Sequence, residues 1–229
     1  MYSHNVKAVL LDVDNTLLDF DKSAKATITA AFAEMGLPYC ERVFDTFLRV
    51  NDALWRKIEK KEITRTDLHR DRWNIIFREL GIEGDGALAE KLFLSGLENN
   101  AVPVEGALDL VRYLSAKYAL FTASNAPYMQ QVKRLTLSGI MPYLTAILNF
   151  EELGINKPQK RFFAECLRSM RPATADQIVF IGDSLSADIA GGRAVGVTTV
   201  WFNHGGVKTA KPDICDFAVN SLAEIKDIL

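Results

Sequence analysis

The chain is poor in the features that mark several protein classes. Cysteine occurs three times in 229 residues, at Cys40, Cys166 and Cys215. The count is odd, the spacing is wide and there is no C-x-x-C pair, which argues against a disulfide framework or a zinc site and predicts reduced, buried thiols. An excess of positive charge is also missing: 27 Lys and Arg stand against 29 Asp and Glu, for a formal net charge of −2. A nucleic-acid polymer needs a basic surface to bind, so none is expected as a partner. The three histidines, His4, His69 and His204, form no cluster and are assigned no role. Long apolar runs are absent. The longest charge-free stretch, Leu135–Phe150, contains Gly139, Pro142 and Asn149 and falls short of the roughly 18 apolar residues of a membrane span. Met1–Lys7 has no basic segment leading into an apolar one, and the run Ala8–Leu11 stops at Asp12, so no signal peptide is expected. The expectation is a soluble, cytoplasmic protein, a monomer or weak homodimer, with no membrane partner.

What is present is a core: 48% of the residues are hydrophobic, enough to fold one large domain or two small ones. Val6–Val13 reads as a strand that is apolar on both faces, which suits the centre of a parallel sheet. From Asp21 to Glu98 the periodicity is helical. Ala24, Ile28, Ala31 and Met35 mark one helix, ended near Gly36, and Val43, Phe47, Val50 and Leu54 mark a second. Trp73, Ile76, Phe77 and Leu80 mark a third, ended by Gly81, with Thr64 and Asp67 spaced as a capping box. Ala89, Leu92, Phe93 and Gly96 mark a fourth. After Pro103 helices and strands alternate: helix 107–116, strand 118–123, helix 127–137, strand 145–150, helix 159–170, strand 177–182, helix 186–195, strand 197–202, strand 216–219 and helix 222–229. This pattern predicts an α/β fold, a doubly wound parallel sheet with helices on both faces. The predicted core spans 1–16 and 103–229, interrupted by an inserted α-helical domain at 17–102. Linkers near Leu17–Asp21 and Glu98–Val104 are expected to act as hinges.

Open α/β sheets place their sites at the carboxyl ends of strands. Four strand ends here carry chemistry: Asp12 and Asp14, then Ser124 and Asn125, then Lys157 beyond a connecting loop, then Asp183 and Asp188. Alone, each residue reads as an ordinary turn former, cap or surface charge. Together, in this order, they read as a site. Asp12 and Asp14 are two apart, so both carboxylates share one face if the strand persists that far. Their repulsion, with Asp183 added, would be relieved by a hard dication such as Mg²⁺ held by oxygen ligands. Lys157 would offset negative charge on a substrate. Ser124 and the backbone N–H groups near it and near Asn15 could hold phosphate oxygens.

Asp12-Val13-Asp14-Asn15-Thr16 resembles the D-x-D-x-[TV] motif of the haloacid dehalogenase-like superfamily. Ser124 and Lys157 resemble its second and third motifs, and the segment from Gly182-Asp183 to Asp188 resembles the G-D-x-x-x-x-D form of its fourth. All four occur in order, and the inserted helices sit where that family places its helical cap. The resemblance implies a Rossmann-like core and a set of roles. Asp12 would be the nucleophile, forming an aspartyl-phosphate, and Asp14 the acid and then the base. Mg²⁺ would be held by Asp12, Asp183 and the Asp14 backbone carbonyl. Asp188 would support the metal site from behind or pair with Lys157. Ser124, Asn125 and Lys157 would bind the phosphoryl group of a small-molecule phosphomonoester.

The superfamily's dehalogenases lack the second acid, because halide leaves without a proton. Asp14 therefore points to a phosphatase. Short segments (Asn51-Asp52-Ala53-Leu54-Trp55, Ile63-Thr64-Arg65, Arg72-Trp73 and Val200-Trp201-Phe202-Asn203) are similar to pyrimidine 5′-nucleotidases, which implies nucleoside monophosphates as substrates. Ala126 departs from the glycine common there. Asn51 and Trp55 are the candidates for contacting a base, by hydrogen bond and stacking. Phe20 is a further candidate beside the first motif. Trp73 and Trp201 are expected to be packing residues. The competing readings are a sugar-phosphate phosphatase or phosphomutase, and a phospho-acceptor or binding module without turnover.

Overall fold

The computed structural model of the chain describes residues 5–149, 151, 154–204, 206 and 212–229. His4 and Phe150, the expected end of the third strand, lie outside the described residues. By its contacts the chain divides into two compact units, one of residues Met1–Phe20 and Ala101–Leu229 and one of Asp21–Asn100.

Among the described residues the first unit has six strands: β1 (Ala8–Leu11), β2 (Ala119–Ser124), β3 (Ala146–Asn149), β4 (Ile178–Gly182), β5 (Thr198–Phe202) and β6 (Phe217–Val219). They form one parallel sheet in the order β3-β2-β1-β4-β5-β6. The first strand in sequence is thus central, with Leu11 in register with Thr122 on one side and Ile181 on the other. Alternate strand residues feed two cores, as a pleat of period two requires. Val9, Leu11, Leu120, Val179 and Ile181 pack with Leu110 and Leu114 of helix α5 (Ala107–Ser115), which precedes β2, and with Leu135. On the other face Leu10, Phe121, Ala123 and Phe180 pack with Phe162, Phe163 and Cys166. Helices therefore cover both faces, the doubly wound arrangement of a Rossmann-like core.

The helix expected over 222–229 opens as a 3₁₀ turn, Leu222–Glu224, before a short α-helix, Ile225–Ile228, and two elements nearer the strand ends also differ from expectation. The first strand ends at Leu11, not Val13. The Asp12 N–H still bonds to the Ile181 carbonyl at 2.9 Å, but the Val13 carbonyl then accepts from Leu17 and Leu18 at 2.9 and 2.8 Å, and Asn15 turns to φ +61°. Asparagine tolerates this left-handed backbone better than most residues. Asp14 thus lies beyond the pleat. The helix expected over 186–195 opens as a π-turn, Leu185–Ile189, before a short α-helix, Ala190–Arg193. There the Ser184 carbonyl accepts from both Asp188 and Ile189, at 2.9 and 3.1 Å.

Residues flanking the helical unit belong to the sheet unit because they pair with each other. Leu18 bridges Pro103 in antiparallel fashion. The Asp19 N–H donates to the Val102 carbonyl at 2.8 Å, and the Val104 N–H to the Leu17 carbonyl at 3.0 Å.

The second unit is built on helices α1 (Phe20–Glu34), α2 (Glu41–Glu59), α3 (Arg65–Leu80) and α4 (Gly86–Glu98). The Thr64–Asp67 capping box opens α3, and Gly81, at φ +67°, closes it. Trp73 is buried among Phe32, Phe47, Phe77 and Phe93, with ring centroids 5.7 to 6.0 Å away, so it is a packing residue. Beside it lies a buried ion pair. Arg72 donates to both Glu90 oxygens (3.1 and 2.6 Å) and to Asn51 Oδ1 (2.8 Å), and its guanidinium lies 4.6 Å from the Phe93 ring centroid. His69 Nδ1 meets the same Glu90 at 2.6 Å. Cys40 is exposed before α2, Cys215 is half-buried, and Cys166 alone is fully buried. Burial pushes the Cys166 thiol up to about 12, so it stays protonated and inert. Among the described residues no helix is long and apolar enough to cross a membrane.

Candidate active site

The site is assembled around Lys157, at the carboxyl ends of β1, β2 and β4. Its ammonium donates to Asp12 Oδ1 at 2.5 Å, to Asp188 Oδ1 at 2.8 Å and to the Ala123 carbonyl at 2.9 Å. Three donors meet three acceptors, which satisfies the group in full. Lys157 is 3% exposed, Asp12 6% and Asp188 1%. Burial works against charge on Lys157, but Asp12 and Asp188 outweigh it and hold its pKa above the ordinary value. Asp188 is fixed from behind, its Oδ2 accepting from the Ser184 N–H at 3.1 Å. The π-turn is what carries Asp188 back over its own loop.

Asp183 completes a group of three acids. Carboxylate oxygens of Asp12, Asp183 and Asp188 all lie within 4.8 Å of one another. One ammonium against three carboxylates leaves an excess of two negative charges. Burial, followed by the neighbouring charge of Asp188, raises Asp12 to about 7. Burial and the charges of Asp12 and Asp188 likewise push Asp183 well above the usual carboxylate range. Such a cluster calls for positive charge. Its all-oxygen donor set and its charge excess fit a hard dication such as Mg²⁺. Trp201, expected only to pack, also donates its indole N–H to the Asp183 backbone carbonyl at 2.8 Å, which ties that loop to β5.

Asp14 and Asp12 do not share a setting. Because β1 ends before Asp14, the two carboxylates meet different partners. Asp12 faces Lys157, whereas Asp14 accepts from Arg134 Nη1 at 2.5 Å and from Gln131 Nε2 at 2.7 Å. Both partners are fully buried on helix α6 (Tyr128–Leu137), and the sequence reading missed both. The signal was there: a polar pair at i and i+3 with Leu135, on the face that should turn to the core.

Ser124 ends β2. Its hydroxyl oxygen accepts from the Ala126 N–H at 3.0 Å and from Gln131 Nε2 at 2.9 Å. Asn125 bonds to the backbone of Lys157 on both sides, through its Oδ1 and its Nδ2. Phe20 donates its N–H to Asn15 Oδ1 at 2.9 Å. Of the two candidates for a base contact, Asn51 is 5% exposed with its Oδ1 engaged by Arg72. Trp55 is half-buried, with the Arg65 guanidinium 5.8 Å from its ring centroid. Both lie in the helical unit, and the other seven site residues lie in the sheet unit.

Residues 6–196 match the family model of the haloacid dehalogenase-like hydrolases. The chain is 32% identical over 224 residues to the HAD-hydrolase YfnB of Bacillus subtilis, covering 97% of this chain and 95% of that protein. It is 32% identical over 198 residues to the pyrimidine 5′-nucleotidase PynA of Streptococcus pneumoniae, covering 86% and 84%. The solved structure of B. subtilis YfnB bound to magnesium superposes with a TM-score of 0.91 at 31% identity, covering 98% of this chain and 99% of that one. With the four motifs at adjoining strand ends and both chains covered nearly end to end, this protein belongs to the haloacid dehalogenase-like hydrolases.

Proposed function

We propose that the chain is a Mg²⁺-dependent phosphatase that hydrolyses small phosphomonoesters through an aspartyl-phosphate on Asp12, with pyrimidine nucleoside monophosphates as its substrates. The observation that carries this reading is the contact of one buried lysine with Asp12 and Asp188, with Asp183 close by and Asp14 held apart on partners of its own. Phosphoryl transfer needs positioning and charge neutralisation more than elaborate covalent chemistry. Asp12 attacks phosphorus, the bond to the leaving oxygen breaks, and Asp14 gives that oxygen its proton. Water then attacks the aspartyl-phosphate, Asp14 takes the water's proton, and orthophosphate departs with Asp12 restored. Asp12, Asp183 and the Asp14 carbonyl would hold Mg²⁺, which would supply positive charge to offset that of the phosphoryl group. Lys157 adds charge from the protein itself, Ser124 donates to a phosphoryl oxygen, Asn125 sets the Lys157 backbone, and Asp188 keeps the ammonium in place.

The presence of Asp14 supports phosphate-ester chemistry over dehalogenation, since an alkoxide needs a proton to leave. The likeness to PynA supports the nucleotide class. Asn51 and Trp55 are the helical-unit positions whose substitution tests base preference. The deciding experiment is phosphate release from a panel of nucleoside monophosphates and sugar phosphates, with Mg²⁺ and with EDTA. Metal-dependent release chiefly from pyrimidine monophosphates is the expected result. Turnover of sugar phosphates alone would overturn the substrate assignment, and no metal-dependent release from any ester would overturn the phosphatase reading.

A further inference from the structure

We propose that Gln131 and Arg134 are positioning residues of the reaction, which aim Asp14 and force the Ser124 hydroxyl to act as a donor toward the phosphoryl group. This inference rests on the phosphatase reading given above. The two residues share one face of α6 and are both fully buried. A buried Arg and Gln on a helix face that could have been apolar need a reason, because burying polar groups is costly unless they are fully bonded.

Hydrogen-bond accounting supplies it. Gln131 turns its amide nitrogen to Asp14 Oδ2 at 2.7 Å, a bond that oxygen can accept both as carboxylate, the base form, and as carboxylic acid, the form that protonates the leaving oxygen. That nitrogen has two protons. One goes to Asp14, and the other to Ser124 Oγ at 2.9 Å. The Ser124 oxygen also accepts from the Ala126 N–H at 3.0 Å. Two accepted bonds use both lone pairs of the hydroxyl, so its own proton is left to point elsewhere. A group thus made donor-only is matched to a phosphoryl oxygen, which only accepts. On the other side, Arg134 Nη1 takes Asp14 Oδ1 at 2.5 Å. With one donor on each oxygen, the Asp14 carboxylate is fixed in rotation as well as position. Gln131 therefore joins the proton-transfer residue to the phosphate-binding residue through a single amide.

The test uses the full-length chain and four variants: Gln131→Leu, Arg134→Met, Arg134→Lys and Asp14→Asn. Two probe esters are compared by kcat/KM, which reports the steps through departure of the leaving group. They are p-nitrophenyl phosphate, whose phenolate leaves without a proton, and an alkyl phosphomonoester that the wild type turns over. Arg134→Met is expected to lower the alkyl-ester value by about 10²-fold, the scale of general acid catalysis, and the aryl-ester value much less. Gln131→Leu should show the same excess loss on the alkyl ester above a smaller loss common to both, because the Ser124 hydroxyl is then freed. Asp14→Asn should show the same split, and its combination with Arg134→Met should lose no more than Asp14→Asn alone. Arg134→Lys, which keeps a charged donor, should recover part of the loss. Equal losses on both esters at unchanged melting temperature, or additive losses in the double variant, would overturn the proposal. Gln131→Leu removes no charge and runs the same comparison should Arg134→Met fail to fold. Titration with inorganic phosphate separates the two readings. If the wild type turns over neither ester, the phosphatase reading fails, while weaker phosphate binding by Gln131→Leu still supports the Ser124 part and unchanged binding refutes it.

Discussion

The side chain of Asn125 holds the backbone of Lys157 at both of its polar groups, 32 residues along the chain. Oδ1 accepts from the Lys157 N–H at 2.8 Å, and Nδ2 donates to the Lys157 carbonyl at 3.2 Å. The residue after β2 thus sets the height at which the lysine emerges. Asn125→Leu removes both bonds and is expected to destabilise the protein by about 1–3 kcal/mol, the cost of leaving such groups unpaired. It should also reduce phosphate release. Denaturant melts and an activity assay on the same sample check both effects.

Lys157→Met removes the cation from two buried acids, Asp12 and Asp188, and from the half-buried Asp183 close to them. Breaking a buried ion pair from one side costs about 3–5 kcal/mol, so loss of activity should come with a clear loss of stability. Asp12→Asn should behave differently. It removes one of the excess negative charges, and the ammonium keeps Asp188. The expected outcome is abolished phosphate release with a melting temperature at or above that of the wild type.

Binding of Mg²⁺ to the acid cluster should raise the melting temperature. Saturation at a hundred times the dissociation constant is worth about 2.7 kcal/mol. Thermal melts in EDTA and in rising Mg²⁺ should show this shift in the wild type and lose most of it in Asp183→Asn. An Mg²⁺ response that survives that substitution would place the metal elsewhere.

Gly182 and Gly191, both in the sheet unit, are crowded by their neighbours. A Cβ at Gly182 would meet Asp188 Oδ2 at 2.4 Å, and one at Gly191 would meet the Phe163 ring at 2.0 Å. Gly182→Ala should push Asp188 off Lys157 and lower activity. Gly191→Ala should act on packing alone, with an overpacking cost of about 1–3 kcal/mol. The ratio of activity loss to stability loss distinguishes them.

In the helical unit, Arg72→Met takes the guanidinium from the buried Glu90 and leaves it only His69 of these two partners. A loss of about 3–5 kcal/mol is expected from this one-sided break. Arg72→Met combined with Glu90→Gln should recover part of it, since the charge that lost its guanidinium is then gone. Chemical denaturation of the three proteins tests the cycle.

The sheet unit and the helices of the insertion were legible because their apolar spacing is regular. Gly81 and the Thr64–Asp67 pair are plain signals. The grouping of Asp12, Lys157, Asp183 and Asp188 was legible because parallel strands deliver their next residues to one edge. What could not be read depends on contacts distant in sequence. Asp14 parts from Asp12 because the Val13 carbonyl turns the chain, and its partners Gln131 and Arg134 lie well over a hundred residues away. Asn51 reads as a candidate for a base contact, and its bond to Arg72, 21 residues on, cannot be read from its own helix. The widened turn at Leu185–Ile189 depends on two N–H groups competing for the Ser184 carbonyl, which no periodicity records.

The paired segments Leu17–Asp19 and Val102–Val104 have a consequence for how such a protein changes over time. To the sheet, everything between them is a loop whose ends are already joined. The entropy of closing a loop rises only with the logarithm of its length. Residues 21–100 can therefore be lengthened, trimmed or exchanged at little thermodynamic cost to the sheet, provided the short ladder at their base is kept. Inheritance can then treat the phosphate-handling chemistry as settled and the helical unit as a replaceable attachment, with selection revising one part while the other stays as it was.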